Sequence, residues 1–331
     1  MQRHAFVPPA LRTPSLSGLI PRRSRRHPKC SAEHDPVLVL SHFEARHFFS
    51  LKSQATTQLT AHPGPFSINL GHDSLPAISL DHEGVSLPPH PHPLLSWAHL
   101  KKLSKNNSTG AYEVFPDLSA PEKIAELSLL TNRPASLLPV GPNVPPTLVL
   151  AGFSMHRFKS FDPAADTAEK LAALSPLRGR VLDICTGLGY TAIAAARSPA
   201  VTSLTTIELD PMVISIARRN PWSAELFSLR KIKIVEDDAT QALPRLQDKS
   251  FDVIIHDPPA RVLAGDLYSL LFYRQLRRVC ASRALLFHYI GDPNSRESGR
   301  LYKGITDRLL QAGFGRIQLQ PRAYGLTAHA M

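Results

Sequence analysis

Three carboxylates follow predicted strands at positions suited to binding one small ligand. Asp183, Glu208 and Asp238 each stand at or just beyond the end of an apolar run. The carboxyl ends of parallel strands meet at one edge of a sheet, so we expect the three acids to lie close together. A single acid at a strand end is equally typical of a solvated surface, but the ordered set of three favours a binding site.

The chemistry of these acids indicates a nucleoside that carries a cationic amino group. Asp183 suits the amino group, and Glu208 can accept hydrogen bonds from both hydroxyls of a ribose. Asp238 can accept from the exocyclic amine of adenine while the neighbouring backbone amide donates to a ring nitrogen. The turn from Cys185 to Gly189 has glycines that let a ligand approach the backbone, but it lacks the GxGxxG spacing of a dinucleotide site.

Beyond residue 176 the chain alternates apolar strands with helical stretches. This pattern predicts an α/β fold, a Rossmann-like, doubly wound and mostly parallel sheet whose last two strands form an antiparallel edge hairpin. The predicted strands are Arg180–Ile184, Ser203–Glu208, Lys231–Glu236, Phe251–Ile255, Ala284–Ile290, Arg316–Gln320 and Tyr324–Ala328. The predicted helices are Tyr190–Arg197, Pro211–Asn220 and Tyr302–Ala312.

The part of the chain before residue 151 differs in composition from the predicted sheet domain. Many prolines and short apolar runs between turn residues predict a small Pro-rich α+β domain over 36–150, with a helix over Leu94–Leu103. The alternation of His and Pro in Pro89–Pro93 favours an extended polyproline segment over a metal site. We therefore predict three parts: residues 1–35, the small domain over 36–150, and the ligand-binding domain over 151–331.

Asp183 with Gly187 and Gly189, followed by Glu208-Leu-Asp-Pro, resembles the cofactor site of class I S-adenosylmethionine-dependent methyltransferases. The resemblance implies S-adenosyl-L-methionine as the cofactor. The cofactor-binding residues that it implies are Asp183, Cys185, Thr186, Gly187, Gly189, Glu208, Leu209, Asp237, Asp238 and Ala239. Cys185 stands where many members have the first glycine, and we interpret it as a packing residue because no base adjoins it in the sequence.

A closer resemblance rests on Pro146–Leu150, Met155-His-Arg157, His256-Asp-Pro-Pro259 and Phe287-His-Tyr289. These motifs are similar to those of a poorly characterised methyltransferase group found in archaea and in photosynthetic eukaryotes. The group implies a fold and a cofactor without naming a substrate. Arg157 either closes over the carboxylate of the cofactor or of an acidic substrate, or is a surface arginine.

Asp257-Pro258-Pro259 follows the fourth predicted strand and is similar to the acidic-or-Asn-Pro-Pro-aromatic motif of enzymes that methylate amino nitrogens. The motif implies that the side chain and a prolyl-peptide carbonyl accept hydrogen bonds from the target amine. Ala260 replaces the aromatic residue that stacks on a planar base, which favours a smaller or aliphatic amine.

His288 and Tyr289, at the end of the fifth predicted strand, complete the predicted catalytic set, although His288 also suits a buried core position.

Two other functions remain open. A spermidine-synthase-like aminopropyltransferase shares this fold and the acid at the ribose, but typically has an acidic pair where this chain has Asp-Pro-Pro. The second alternative is a catalytically silent binding module. The sequence predicts no metal site, and it leaves open both the oligomeric state and the methyl acceptor, which is a small amine, a protein or a nucleic acid.

Most of the net charge of +11 comes from the first 32 residues, which contain no Asp or Glu. Their Arg-, Ser- and Pro-rich composition predicts an organelle transit peptide, and the resemblance favours a chloroplast over a mitochondrion. If the segment is instead a retained basic tail, it can contact RNA and the location is cytoplasmic. No apolar run is long enough for a transmembrane helix, so we expect no membrane insertion.

Overall fold

The computed structural model describes residues 38–88, 95–105, 109–115, 119–159, 161–295 and 298–331. The predicted transit peptide and the predicted polyproline segment lie outside the described residues. The chain from Pro36 to Met331 forms one compact unit. The domain boundary at residue 150 remains a prediction.

The first half of the described chain is built mainly from short strands. Its strands are β1 Leu38–Ser41, β2 Thr60–Ile68, β3 Asp73–Leu80, β4 Gly84–Ser86, β5 Leu95–Ser96, β6 Ala111–Val114, β7 Glu122–Lys123, β8 Ala125–Leu127, β9 Pro134–Leu138, β10 Thr147–Leu150 and β11 Phe153–Ser154. Its helices are α1 His42–Ser50 and α2 Trp97–Leu103, with 3-10 turns at Leu51–Gln54 and Asn69–Gly71. The strands form three sheets, ordered β1-β6-β7, β2-β3-β4-β5 and β11-β10-β9-β8.

The second half alternates strands with helices, as predicted. Its strands are β12 Gly179–Ile184, β13 Val201–Glu208, β14 Ile232–Glu236, β15 Phe251–His256, β16 Cys280–Tyr289, β17 Phe314–Gln320 and β18 Gly325–Ala330. Its helices are α3 Pro163–Ala172, α4 Tyr190–Arg197, α5 Pro211–Arg218, α6 Ala224–Ser228, α7 Ala239–Ala242, α8 Leu270–Val279 and α9 Ser298–Ala312. Short 3-10 turns lie at Pro221–Ser223, Leu243–Arg245, Gly265–Tyr268 and Pro321–Ala323.

The seven strands of the second half form one sheet in the order β14-β13-β12-β15-β16-β18-β17. The pairs β13–β14, β12–β13, β12–β15 and β15–β16 are parallel, whereas β16–β18 and β17–β18 are antiparallel. The predicted Rossmann-like sheet and its antiparallel edge hairpin are therefore confirmed. The order in which the chain adds strands to the sheet reverses between β12 and β15. Ligands of such sheets bind at the carboxyl ends of the strands at this point.

Alternating apolar residues of the central strands build a core on each face of the sheet. Val181 and Val253 pack with α4 and α5 on one face. Leu182, Ile184 and Ile254 pack with α8 and α9 on the other. Because the central strands carry apolar residues on both faces, helices pack on both sides of the sheet, which is the doubly wound architecture.

Local capping explains where the helices depart from the predicted bounds. The small-domain helix begins at Trp97, three residues later than predicted, because the Ser96 side chain accepts a hydrogen bond from the His99 amide at 3.2 Å. The helix α3, absent from the sequence prediction, begins with Pro163 after the N-cap Asp162, which accepts from the Ala165 amide at 2.9 Å.

Gly325 lies where the edge hairpin contacts the parallel part of the sheet, and it leaves no room for a side chain. A Cβ atom there would lie 2.5 Å from ring atoms of Phe287 and 2.8 Å from the carbonyl oxygen of His288. We predict that Gly325→Ala lowers the free energy of unfolding by about 1–3 kcal/mol because the tightly packed core cannot absorb the methyl group.

Gly299→Ala in α9 is the matched control, because no atom lies within 4 Å of a Cβ placed there. That change should leave stability unchanged or raise it by up to about 1 kcal/mol, since alanine is the better helix former. Urea denaturation measures both changes, and equal midpoints for the two variants would contradict this packing argument.

Candidate active site

A cavity of about 360 Å³ lies at the carboxyl ends of β12, β13 and β15, beside the reversal in strand order. We call it the first cavity. Its wall includes Cys185–Leu188, Ile207–Asp210, Asp238–Thr240, Asp257–Ala260, Phe153–His156 and Tyr289. Most of the residues that the sequence singled out are thus brought together around one space.

The glycine turn between β12 and α4 forms the floor of this cavity. Cys185, Gly187 and Gly189 have φ values of 71°, 55° and 77°, in the left-handed region that favours glycine. A Cβ atom at Gly187 would meet no atom within 4 Å, whereas one at Gly189 would lie 2.7 Å from the Leu226 side chain. Gly187 therefore opens the turn toward a ligand, and Gly189 permits close packing beneath it.

Glu208 holds the glycine turn while facing the cavity. Its Oε2 accepts a hydrogen bond from the Gly187 amide at 2.9 Å, and its Oε1 accepts from the Asp210 amide at 3.2 Å. Burial raises the pKa of this carboxyl. Each oxygen has a further lone pair, so the predicted contact with two ribose hydroxyls is compatible with these bonds.

Asp183 lies beneath the turn and is not part of the cavity wall. Its Oδ1 accepts from the Thr191 hydroxyl at 3.0 Å, and its Oδ2 accepts from the Thr206 hydroxyl at 2.6 Å. The Thr186 hydroxyl lies 2.6 Å from that of Thr206 and extends the network to the turn. Asp183 therefore positions the turn, and its direct contact with a ligand amino group stays a prediction.

The residues that the sequence assigns to adenine lie partly at the first cavity, and their contact with the cofactor stays a prediction. Asp238, Ala239 and Leu209 line the cavity. Asp238 also caps α7, because its Oδ1 accepts from the Thr240 amide at 2.8 Å. Asp237 lies outside the cavity wall and pairs with Arg245, and its cofactor contact stays a prediction.

Asp257 lies at the cavity wall after β15 and forms an ion pair that sequence reasoning missed. Its Oδ2 accepts a hydrogen bond from the Lys170 ammonium at 2.6 Å, and the Lys170 side chain is only 2% exposed. Burial raises the pKa of Asp257, and the neighbouring ammonium opposes that rise. Burial lowers the pKa of Lys170, but the two nearby carboxylates outweigh that effect and raise it above its ordinary value.

The ion pair continues away from the first cavity. Lys170 also lies 3.1 Å from Asp166 Oδ2, one turn earlier on α3, and Asp166 accepts a hydrogen bond from Arg157 Nε. Arg157 does not line the first cavity. Its role at the cofactor stays a prediction, and its position is taken up below. An Asp and a Lys four residues apart in a helix usually indicate a solvated pair, so spacing alone did not reveal this buried network.

Tyr289 and His288 take opposite sides of β16. Tyr289 lines the cavity, and its ring centroid lies 5.1 Å from Lys170 Nζ. His288 is fully buried, lies 2.8 Å from the Tyr273 hydroxyl and stacks on His256 at 4.3 Å. Since consecutive strand residues point to opposite faces, only one of the two can reach the cavity. The predicted catalytic role of His288 is corrected to core packing.

The small sheets of the first half supply the opposite wall, which the sequence did not indicate. Leu148 and Leu150 of β10 and Phe153 of β11 line the cavity. The Tyr190 hydroxyl, at the start of α4, donates to the Pro146 carbonyl at 2.9 Å. The site is therefore built jointly by the predicted small domain and the large sheet.

The first cavity is electrostatically acidic. Its described wall includes Glu208, Asp210, Asp238, Asp257 and Asp266. Arg133 is the one Lys or Arg in that described wall, and its Nη1 donates to the Leu263 carbonyl at 3.2 Å. Such a wall favours a ligand that carries positive charge. Among the described residues, no group of three or more His, Cys, Asp or Glu is arranged to hold a metal ion.

Residues 157–271 match the family model of the methyltransferase small domain. The chain is 44% identical over 189 residues to the uncharacterized protein MJ1233 of Methanocaldococcus jannaschii, a match that covers 56% of this chain and 65% of that protein. It is 30% identical over 122 residues to the polyamine aminopropyltransferase of Prochlorococcus marinus, covering 36% of this chain and 43% of that enzyme.

A third relative is the polyamine aminopropyltransferase of Mycobacterium tuberculosis, 34% identical over 141 residues, covering 40% of this chain and 26% of the enzyme. The chain thus spans less than two thirds of the curated relatives it matches. Among solved structures, a spermidine synthase in complex with the transition state analogue AdoDATO has a TM-score of 0.49 and 17% identity, covering 60% of this chain and 71% of that one. No described helix is both long and apolar enough to cross a membrane.

We predict that Asp183 makes stability fall with rising pH. Burial raises its pKa to about 7, so the folded chain favours the protonated acid. The resulting stabilisation is complete below the unfolded-state pKa, about 3.9, and is lost as the pH rises through the folded-state pKa. Melting temperatures between about pH 4 and pH 8 should therefore fall more steeply for the natural chain than for Asp183→Asn.

Asp307→Asn, which changes an exposed carboxylate on α9, serves as the matched control and should keep the natural slope. If the natural chain and Asp183→Asn show the same slope, Asp183 ionises as freely when folded as when unfolded, and the argument fails.

Proposed function

We propose that this chain is an S-adenosylmethionine-dependent methyltransferase that methylates an amino nitrogen held by Asp257-Pro258-Pro259. One observation carries the proposal: the glycine turn with Glu208 and the Asp-Pro-Pro segment line the same cavity, at the carboxyl ends of neighbouring strands. The match of residues 157–271 to the methyltransferase small domain supports it.

The residues present fit the proposed cofactor. Glu208 would accept from the ribose hydroxyls, Asp238 would accept from the adenine amine, and the open face of Gly187 would leave room for the ligand. The acidic wall suits a sulfonium cation. When bound, the cofactor would supply an electrophilic methyl group, and its sulfur would keep the electron pair of the broken carbon–sulfur bond.

Asp257 would align the acceptor. Lys170 holds Asp257 Oδ2, and we assign Oδ1 to accept a hydrogen bond from the target amine, with the Pro258 carbonyl as a second acceptor. The Pro259 carbonyl already accepts from the Tyr268 hydroxyl at 3.0 Å. Two fixed acceptors orient the nitrogen lone pair toward the methyl carbon, and Asp257 can take up the proton that the methylated amine releases.

A second candidate is aminopropyl transfer. The specific observation in its favour is the acidic wall of the first cavity, because a decarboxylated donor carries only positive charge there. The curated relatives named as polyamine aminopropyltransferases support it as well. The two candidates differ in the donor that they bind, so a binding measurement separates them.

We predict that the chain binds S-adenosylmethionine, and that Glu208→Ala weakens that binding by about 2–4 kcal/mol. The variant loses hydrogen bonds to both ribose hydroxyls and leaves buried polar groups unmatched. Titration calorimetry on folded protein measures the change. Glu236→Ala is the matched control, because Glu236 pairs with Glu208 in register but is exposed.

Equal affinity in the natural chain and Glu208→Ala would overturn the site assignment. Tighter binding of the decarboxylated donor would favour aminopropyl transfer. Failure to bind either donor would favour the binding module without catalytic activity.

We predict that Asp257→Ala cuts methyl transfer by about 100-fold or more while leaving cofactor affinity nearly unchanged, because the acceptor loses its alignment in the transition state. Methyl-labelled donor offered with small amines, protein and RNA should label the small-amine fraction. Asp257→Asn keeps a carbonyl oxygen, so its residual rate separates alignment from proton acceptance.

Lys170→Met is the companion variant, since it leaves Asp257 in place without its buried partner. It should slow transfer and shift the pH profile, whereas Lys170→Arg should restore part of the rate. If Asp257→Ala loses melting temperature and rate together, with normal turnover per folded molecule, Asp257 has only a structural role.

A further inference from the structure

A second cavity, about 520 Å³ in volume, adjoins the first. The two share Ser154, Met155, His156 and Tyr289 as wall residues. The remaining wall of the second cavity is formed by Arg157–Lys159, Phe161, Asp166, Pro321, Arg322 and Tyr324. The two cavities therefore meet at these four residues.

The second cavity is basic where the first is acidic. Its described wall carries Arg157, Lys159 and Arg322, against Asp166 as a carboxylate. Arg322 is paired with Glu169, which lies outside the wall, at 2.6 Å, so Lys159 and Arg157 carry most of the positive charge. Asp166 is already shared between Arg157 and Lys170, and these two cations lower its pKa despite its burial. His156 is uncharged at neutral pH because burial lowers its pKa to about 3. The cavity thus presents net positive charge.

Arg157 is held in place by aromatic rings and by Asp166. Its guanidinium lies between two aromatic rings, 4.5 Å from the centroid of Phe161 and 4.3 Å from that of Tyr324. Asp166 accepts a hydrogen bond from Nε, whereas the buried Nη2 has no hydrogen-bond partner among the described residues. A buried donor without a partner is costly, and an immobilised guanidinium fork matches the oxygens of a carboxylate or phosphate.

Aromatic rings give this cavity a second kind of recognition. Phe161 and Tyr324 cover Arg157, which leaves Phe158 and Tyr289 as wall residues for a flat or apolar ligand body. Tyr289 belongs to both cavities, so a ring placed against it would lie between the amine site and Arg157.

We propose that the second cavity binds the anionic end of the methyl acceptor, a carboxylate or phosphate on an aromatic or apolar body, with Arg157 as the anchoring residue. This inference rests on the proposed function, because it takes the amine end to lie at Asp257. It makes the acceptor an amine that also carries an acid. A diamine fits poorly, since its second ammonium would lie beside Arg157, Lys159 and Arg322.

The test uses fragments on the full chain saturated with S-adenosylhomocysteine, which would occupy the first cavity. Phenyl phosphate, benzoate, inorganic phosphate and benzylamine serve as probes, with binding measured by calorimetry and by the shift in melting temperature. We expect phenyl phosphate and benzoate to bind at least about tenfold more tightly than benzylamine. The ratio of the first two distinguishes a phosphate site from a carboxylate site, and inorganic phosphate reports the contribution of the ring.

Variants locate the binding. Arg157→Met should weaken phenyl phosphate about tenfold or more, with Arg157→Lys intermediate because it keeps the charge but loses the planar fork. Arg322→Gln removes a cation whose side chain is 81% exposed and should cause a smaller loss without affecting folding. Arg300→Gln, an exposed position on α9 that lines neither cavity, is the control and should change nothing.

The outcomes separate this inference from the proposed function. If S-adenosylhomocysteine fails to bind, the proposed function fails first. If it binds but benzylamine matches phenyl phosphate, or Arg322→Gln and both Arg157 variants leave phenyl phosphate unaffected, the acidic-acceptor inference is overturned alone. It is also overturned if Arg157→Met weakens S-adenosylhomocysteine instead, because the cavity then holds the carboxylate of the cofactor.

Discussion

The buried ammonium of Lys170 is the constraint on which the candidate site depends. Its side chain is 2% exposed, and an ammonium removed from water is stable only beside acids. Asp257 at 2.6 Å and Asp166 at 3.1 Å meet that requirement, so α3 must pack against the carboxyl end of β15. The same interaction holds Asp257 at the cavity wall and sets Asp166 to receive Arg157. One buried charge thereby links the proposed reaction centre to the second cavity.

A second buried group supports the cofactor side. Asp183 shares its face of β12 with Val181, which packs against α4, so its carboxylate meets Thr191 on that helix instead of the cavity. Together with Thr206 it ties β12, β13 and α4 at the point where the glycine turn leaves the sheet. The left-handed Cys185 and Gly187 then present backbone to the cavity, with Glu208 holding the Gly187 amide. Asp183 beneath the turn and Glu208 at the cavity wall thus both hold the turn through hydrogen bonds within the protein.

The sequence predicted the large sheet well because its signals are local: apolar runs, turn glycines and the alternation of strand and helix. The same local signals predicted that Glu208, Asp238 and Asp257 lie at the carboxyl edge of the sheet. What could not be predicted depends on contacts between distant segments. Lys170 lies 87 residues from Asp257, one of the two partners of Asp183 lies 23 residues from it, and the hairpin β10–β11 enters the site from the predicted small domain. His288 shows the remaining limit, because a motif does not reveal which face of a strand is the cavity.

The opposite charges of the two cavities restrict how a ligand pair can be arranged. The proposed sulfonium donor would bind in the first cavity, where the described wall carries five carboxylates and Arg133 donates to a backbone carbonyl. An acceptor that shares the site must bring its nitrogen to Asp257, at the border, and must extend toward Arg157. A cationic tail would be repelled by Arg157. A flat base would lack a stacking partner, because Ala260 stands in place of an aromatic residue after the Asp-Pro-Pro segment. An amine with an acidic tail fits the proposed arrangement, because its amino group would face Asp257 and its acidic group would face Arg157.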